Sequence, residues 1–410
     1  MSSGSRRSCE ALADTSSRTS AASTGSPFFE LPLEVRCNIY DLMVRLPYRD
    51  HLNLLCVHKQ VHGEARESFY QRPLYCDSQY DLIKFVERWP ESVLQSITDL
   101  RMRVEEIRPE IMQEYLAAIA SGNPELIHRH PYLMEINQIT FALAELPGIT
   151  HLQLLRPIGL QTSIPSSIVM THLLNWAAEN YPILRSLRLD IEQCHIGCLG
   201  SFTELSSLQM TGYSETSPMR TADVLSKLTN LEELMVVGPP RGLQTLQRHG
   251  MDADVFLTQK TMKALYEVHR ESLRSLTISS TTIPTSAFVE YLSAFLLGTT
   301  NMKEVRIMWP DIETAIVDCI PNTVRRLELA VASRDQAQAI IDRLVLMKYR
   351  LKCLQCVHFH IINPVHETSA DDKGAGSNRL AFGLPIRRLD TAIESPFKIS
   401  WGIWQPMLPE

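Results

Sequence analysis

The chain of 410 residues carries 46 acidic against 40 basic side chains, a formal charge of −6, and 44% of it is apolar. That composition supplies globular cores for two or three domains, and the lack of a basic excess argues against nucleic acid as a partner. No apolar run reaches the roughly 18 residues of a bilayer span, and Arg6 and Arg7 precede no apolar stretch, so neither a membrane segment nor a secretory signal is expected.

Residues 1–26 are nearly all Ser, Thr, Ala, Gly and Arg, with Leu12 the one large aliphatic side chain after Met1. They are expected to be a disordered tail. Nine cysteines, an odd number set mostly in apolar patterns, fit a reducing cytoplasmic or nuclear compartment better than a disulfide framework.

Residues 27–75 read as a helical module. Pro32 suits a first helical turn, and Val35, Ile39, Leu42 and Met43 line one face, which predicts a helix from Leu33 to Met43. Leu46-Pro47 ends the pattern and Asp50 can cap the next helix. From about His51 this second helical region carries Leu54, then Val57, Val61, Ala65 and Phe69 at every fourth position. Gly63 in that stripe predicts a break into two shorter helices. So few residues cannot hide all this apolar surface among themselves, and part of it should face another surface.

Leu31-Pro32 with Glu34, Ile39-Tyr40 with Leu42, the Leu-Leu-Cys-Val run at 54–57, and the ending His62-Gly63-Glu64-Ala65 to Tyr70 resemble the F-box in the divergent form typical of fungal proteins. The tryptophan that often follows the family's Cys-Arg pair is absent, with Lys59-Gln60-Val61 in that stretch. The resemblance implies that Leu31, Pro32, Val35, Ile39, Leu42, Leu54, Leu55 and Val57 face a Skp-type adaptor and, through it, a cullin. The alternative for these helices is a cap on the domain that follows.

After a connecting stretch at 76–95, a pattern recurs over 96–362: an aliphatic residue followed by others at +3 and +5. It appears at Ile97-Leu100-Met102, Ile149-Leu152-Leu154, Leu184-Leu187-Leu189, Leu205-Leu208-Met210, Leu231-Leu234-Val236, Leu273-Leu276-Ile278, Met302-Val305-Ile307, Val324-Leu327-Leu329 and, more loosely, Leu351-Leu354-Cys356. Segments 165–181, 218–228, 257–269, 284–297 and 334–347 between them carry helical spacing. Units of this kind bury their apolar faces only by stacking, which predicts an α/β leucine-rich-repeat solenoid with a curved parallel sheet, against a non-solenoid α/β domain as the alternative. The Asn or Cys usual at the ninth position of such repeats is replaced by Glu192, Tyr213 and Thr281. Residues 363–410 read as a loop and a cap, in which Phe397, Ile399, Trp401 and Ile403 alternate as a strand.

Positions alternating with the buried ones should form the concave face. These include Arg101, Arg103, His151, Gln153 and Thr277, and the candidate substrate-binding set is Arg188, Asp190, Gln209, Glu233, Met235, Glu304, Arg306, Arg326 and Glu328. Both charge signs are interleaved, which suits a protein surface better than a polyanion.

Cys353-x-x-Cys356-x-His358-x-His360 has metal-ligand residue types, and alternation along a strand sets Cys356, His358 and His360 on one face. Val357, Phe359 and Ile361 alternate with them, so a sheet strand with polar side chains outward accounts for the string, and neither a metal nor a cofactor is expected. That register opposes the ninth triplet, a conflict a β-bulge would resolve. Cys194-His195-x-x-Cys198 is expected to be loop packing, and His128 and His130 a solvated loop. Gly-x-Ser-x-Gly, Walker, GxGxxG and HExxH patterns are absent, which points to a non-catalytic protein. The combined expectation is a substrate-recognition subunit of a Skp-cullin-F-box type ubiquitin ligase, with a repeat scaffold lacking any ligase role as the alternative.

Overall fold

A computed structural model describes residues 27–43, 58–70, 73–105, 109–122, 130–155, 164–190, 195–211, 218–238, 258–280, 284–310, 312–362 and 397–404. The chain divides into two compact units, residues 1–70 and 71–410.

In the first unit a 3-10 turn, Pro27–Glu30, leads into α1, Leu33–Met43; α2 follows at Lys59–Tyr70. The Pro32 carbonyl accepts from the amides of Val35 and Arg36 at 3.0 and 3.1 Å, so proline opens the helix where its missing N–H costs nothing. Contrary to expectation, α2 runs unbroken through Gly63. The roughly 1 kcal/mol that glycine costs a helix is small beside the burial of Val61 and Ala65 around it. Those two side chains and Tyr40 form a small core, with Phe28 and Phe29 packed on it. Asp50, Leu54, Leu55 and Val57 lie outside the described residues.

The second unit is α/β, built on one eleven-stranded sheet in strictly sequential order with every pairing parallel. Its strands are β1 Leu74–Cys76, β2 Asp99–Arg103, β3 His151–Leu155, β4 Ser186–Asp190, β5 Ser207–Thr211, β6 Glu233–Val237, β7 Ser275–Ser279, β8 Glu304–Met308, β9 Arg326–Val331, β10 Cys356–Ile362 and β11 Lys398–Trp404. Between them run α3 Gln79–Arg88, α4 Glu91–Leu94, α5 Pro109–Ser121, α6 Pro131–Ala144, α7 Ile164–Asn180, α8 Pro218–Lys227, α9 Gln259–His269, α10 Ser286–Gly298 and α11 Arg334–Leu346. Gly197–Ser201 and Thr314–Cys319 are 3-10 turns that replace helices in the two shortest repeats. Sequential parallel strands with crossovers of one hand put every connection on the same side of the sheet. The result is consistent with a solenoid of the leucine-rich-repeat type.

The triplets set the register. Leu100, Leu152, Leu187, Leu208, Leu234, Leu276, Val305 and Leu327 form one buried row, and Met102, Leu154, Leu189, Met210, Val236, Ile278, Ile307 and Leu329 the next. Each such burial stabilises the fold by roughly 1.5–3 kcal/mol. The residue after each triplet's first member offers a carbonyl that clasps two amides of the next repeat. Thr98 thus accepts from Thr150 and His151, Thr150 from Arg185 and Ser186, Arg185 from Ser206 and Ser207, and the series continues through Ser206, Glu232, Arg274, Lys303 and Arg325, all at 2.7–3.1 Å.

The last clasp corrects the ninth triplet. Arg325 holds Gln355 and Cys356, and Val357 and Phe359 pair with Leu327 and Leu329. The triplet is therefore Leu354-Val357-Phe359, no bulge is needed, and Leu351 is the buried turn residue whose carbonyl accepts from the Leu354 amide. The sheet also begins before the first triplet, since Leu74 and Cys76 align with Leu100 and Met102. Gly148 sits where a Cβ would stand 2.9 Å from the Gln95 carbonyl oxygen and 3.1 Å from that of Ile97, a backbone approach closed to other residues. His130 is buried as the N-cap of α6, its Nδ1 accepting from the Tyr132 amide at 3.3 Å, rather than solvated. Among the described residues no helix is long and apolar enough to cross a membrane.

Candidate functional site

Two surfaces carry the predicted contact residues, one in each unit. On α1 the stripe Val35, Ile39, Leu42 lies beside the buried pair Arg36 and Tyr40. Val35 is 41% and Leu42 62% exposed, Leu33 is 50% exposed, Pro32 is exposed, and Leu31 and Ile39 are half-buried. A polar lock holds the other side inward. The Arg36 guanidinium donates from Nε to Glu64 Oε2 at 2.8 Å and from Nη2 to Oε1 at 2.6 Å, and also bonds the carbonyls of Phe29, at 3.1 Å, and Leu31. Tyr40 donates to Glu64 Oε2 at 3.1 Å and Gln60 to Oε1 at 2.7 Å.

The Arg36 hydrogen bond outweighs burial and, with Gln60 and Tyr40, holds the Glu64 carboxyl down at about 2. Burial, aided by the bond to Glu64, pushes the Tyr40 hydroxyl up to about 12. Glu64 is thus charged and Tyr40 neutral at physiological pH. The bidentate, charge-assisted fork fixes the rotation of α1 on α2 and keeps the apolar stripe outward.

On the sheet, the residues between the two buried rows line up across the open face: Tyr75, Arg101, Gln153, Arg188, Gln209, Met235, Thr277, Arg306, Glu328, His358 and Ser400. Gln209, Met235, Glu233, Glu304 and Arg306 border one groove of about 220 Å³ whose floor includes Ser275 and Thr277. Toward the chain's end the charges pair among themselves. Arg326 meets Glu328 at 2.7 Å, Arg306 meets Glu328 at 3.4 Å and Glu304 at 3.8 Å, and His360 Nε2 lies 3.3 Å from Glu328 Oε2. Burial opposes charge on Glu328, yet the His360 hydrogen bond, Arg306 and Arg326 hold its carboxyl at about 2. Asp190 is also buried.

The face therefore offers short polar side chains and a thioether at its centre and internally neutralised arginines at one end. Such a surface recognises shape and hydrogen-bond pattern more than bulk charge. Arg101 adds a contact over the Tyr75 ring, 5.0 Å from its centroid. Alternation had placed Arg188, Gln209, Glu233, Met235, Glu304, Arg306, Arg326 and Glu328 on this face, and had turned His358 and His360 outward on their strand; Tyr75 and Ser400 join them there. Repeat periodicity could have found these two had the first residue of a triplet been allowed to be polar or proline, as Gln71 and Pro396 are by position.

His358 and His360 do share a face, as spacing predicted, but no group of three His, Cys, Asp or Glu that could hold a metal occurs among the described residues. Cys353 is exposed and apart. Cys198 sits in the 3-10 turn, its thiol pushed up to about 11 by burial, and Cys194 lies outside the described residues.

The sequence matches no protein-family profile and no curated protein. Among solved structures it is similar to a crystal structure of a Bacteroides fragilis protein at 13% identity with a TM-score of 0.33, over 68% of this chain. The match spans 63% of that protein's length, and a likeness this distant has no bearing on function.

Proposed function

We propose that the chain is the non-catalytic substrate-recognition subunit of a Skp-cullin-F-box type ubiquitin ligase, docking the adaptor on the outward stripe of α1 and a protein substrate on the open face of the sheet. The observation that carries the reading is Val35 and Leu42 standing exposed one turn to either side of a half-buried Ile39, while Arg36 and Glu64 fix the helix behind them. An apolar stripe held outward by a part-buried charged lock is suited to a groove on a partner. The chain would do no bond chemistry; it would raise the concentration of a target lysine near a charged conjugating enzyme.

The test is recovery of a Skp-type adaptor with the intact chain and with Val35→Asp/Leu42→Asp, both at exposed positions where folding should be little affected. Loss of recovery with an unchanged melting temperature upholds the adaptor role. Equal recovery by the variant rejects this face as the site. Failure of the intact chain to recover any adaptor leaves a repeat scaffold without a ligase role.

A further inference from the structure

We propose that β11 is a closing strand released by mild acid, with the paired imidazoles of His358 and His360 on β10 as its latch. The two strands run in register from Cys356 opposite Lys398 to Ile362 opposite Trp404. On the helix side the pairing is apolar, with the Phe359 and Trp401 rings 5.2 Å apart. On the open side it rests on the histidines.

The His358 ring nitrogen Nδ1 is 2.6 Å from Ser400 Oγ, and the two imidazoles stand 4.3 Å apart, tilted by 65°. A Cβ on Gly402 would come within 2.7 Å of His358 Nε2 and 3.5 Å of His360 Nδ1. Both rings therefore lie over the β11 backbone, where a side chain in place of Gly402 would push the His358 ring aside.

The charged and titratable surroundings are one-sided. Arg326 and Glu328 come from β9, Arg306 and Glu304 from β8, Cys356 and His360 from β10 itself, and Lys398 from β11. Glu328, the nearest carboxylate, is already held by Arg326, Arg306 and His360. Protonating His358 leaves it only donors, which fixes the Ser400 hydroxyl as acceptor, and it adds a positive charge beside two guanidinium groups. Burial, then His360 and both arginines, accordingly hold His358 below the ordinary imidazole range against the pull of Glu328. A group depressed on folding stabilises above its unfolded value, and that contribution is lost as pH falls from there through the folded value. β11 yields first because among the described residues it is an edge strand, bonded to one neighbour, and follows β10 only after residues 363–396.

Amide hydrogen exchange of the full chain, corrected for intrinsic rates, should be compared at about pH 7.5 and about pH 5, either side of the imidazole range. Protection of β11 should fall by up to about tenfold per pH unit below the unfolded value, with β5 and β6 unchanged, and His358→Gln should abolish the dependence. Equal β11 protection at both pH values in the natural chain, or the same pH dependence in His358→Gln, would overturn the latch. Should His358→Gln leave β11 unprotected throughout, tryptophan fluorescence of the natural chain and of Trp401→Phe/Trp404→Phe decides: a transition centred in the imidazole range that the double variant lacks supports release, and its absence from the natural chain or its persistence in the variant refutes it.

Discussion

Replacing Glu328 by Gln tests the charge cluster at the end of the open face. The carboxyl is held at about 2 instead of the usual 4.5, and at about 1.4 kcal/mol per tenfold in acidity this is ~3 kcal/mol in favour of the folded, charged form. Glu328 is only 7% exposed, so solvent screening takes little from that figure, whereas Arg306 and Arg326 at 28% and 47% can turn to water once it is gone. The loss should therefore not much exceed ~3 kcal/mol. A depressed carboxylate contributes above its unfolded value and loses that contribution as pH falls through the folded one. Urea titrations should accordingly show Glu328→Gln less stable by about that amount near pH 7, with the gap closing as pH is lowered from about 4.5 towards about 2. A gap below about 1 kcal/mol at neutral pH, the range of an exposed ion pair, or a gap that stays constant into acid, would refute the account of this cluster.

Two further substitutions address the core and the α1 lock. Leu208→Ala, at a 1% exposed position in the middle of the sheet, should cost about 3–5 kcal/mol, while Gln209→Ala next to it on the open face should stay within about 0.5 kcal/mol; comparable losses in urea titration would mean the two faces are wrongly assigned. Glu64→Gln should lower exchange protection across α1. In the natural chain that protection should persist below the ordinary carboxyl value and fade as pH drops through about 2; unchanged protection in the variant would show that the lock does not position the helix.

Much of this fold was legible because the repeat carries two periods at once. Leu205, Leu208 and Met210 announce a strand by alternation and a turn by the step of three, and the helices at 164–180, 218–227, 259–269, 286–298 and 334–346 followed from their apolar spacing. The end strands were harder. Gln71 and Pro396 stand at the triplet's first position, so β1 stayed hidden and β11 was seen only by its alternation. Leu351 imitated a triplet start because the turn three residues earlier also buries an aliphatic side chain. Of the site, alternation gave which residues share the open face but not how they pair. That Arg306, Arg326 and His360 converge on Glu328 depends on strands separated by connections of differing length, and that Arg36 reaches Glu64 depends on residues 28 apart. Local spacing carries neither.

The clasping carbonyls have a consequence for where this chain can change length. Most segments entering the strands are close in length: 181–185, 202–206, 228–232, 270–274 and 299–303 are all of five residues and 145–150 and 320–325 of six, with 95–98 shorter and 347–355 longer. The number of residues between a strand and the next described helix or 3-10 turn varies far more, from two after β9 (332–333) to 21 after β6 (238–258). An inserted residue on the entry side would move the next strand off its clasp and turn its side chains to the other face. On the exit side it meets no such constraint, and lengthening a loop there costs only slowly growing entropy. Insertions, epitope tags and lineage-specific elaborations should thus collect along one rim of the sheet, leaving the other as the ruler that keeps the repeats in step.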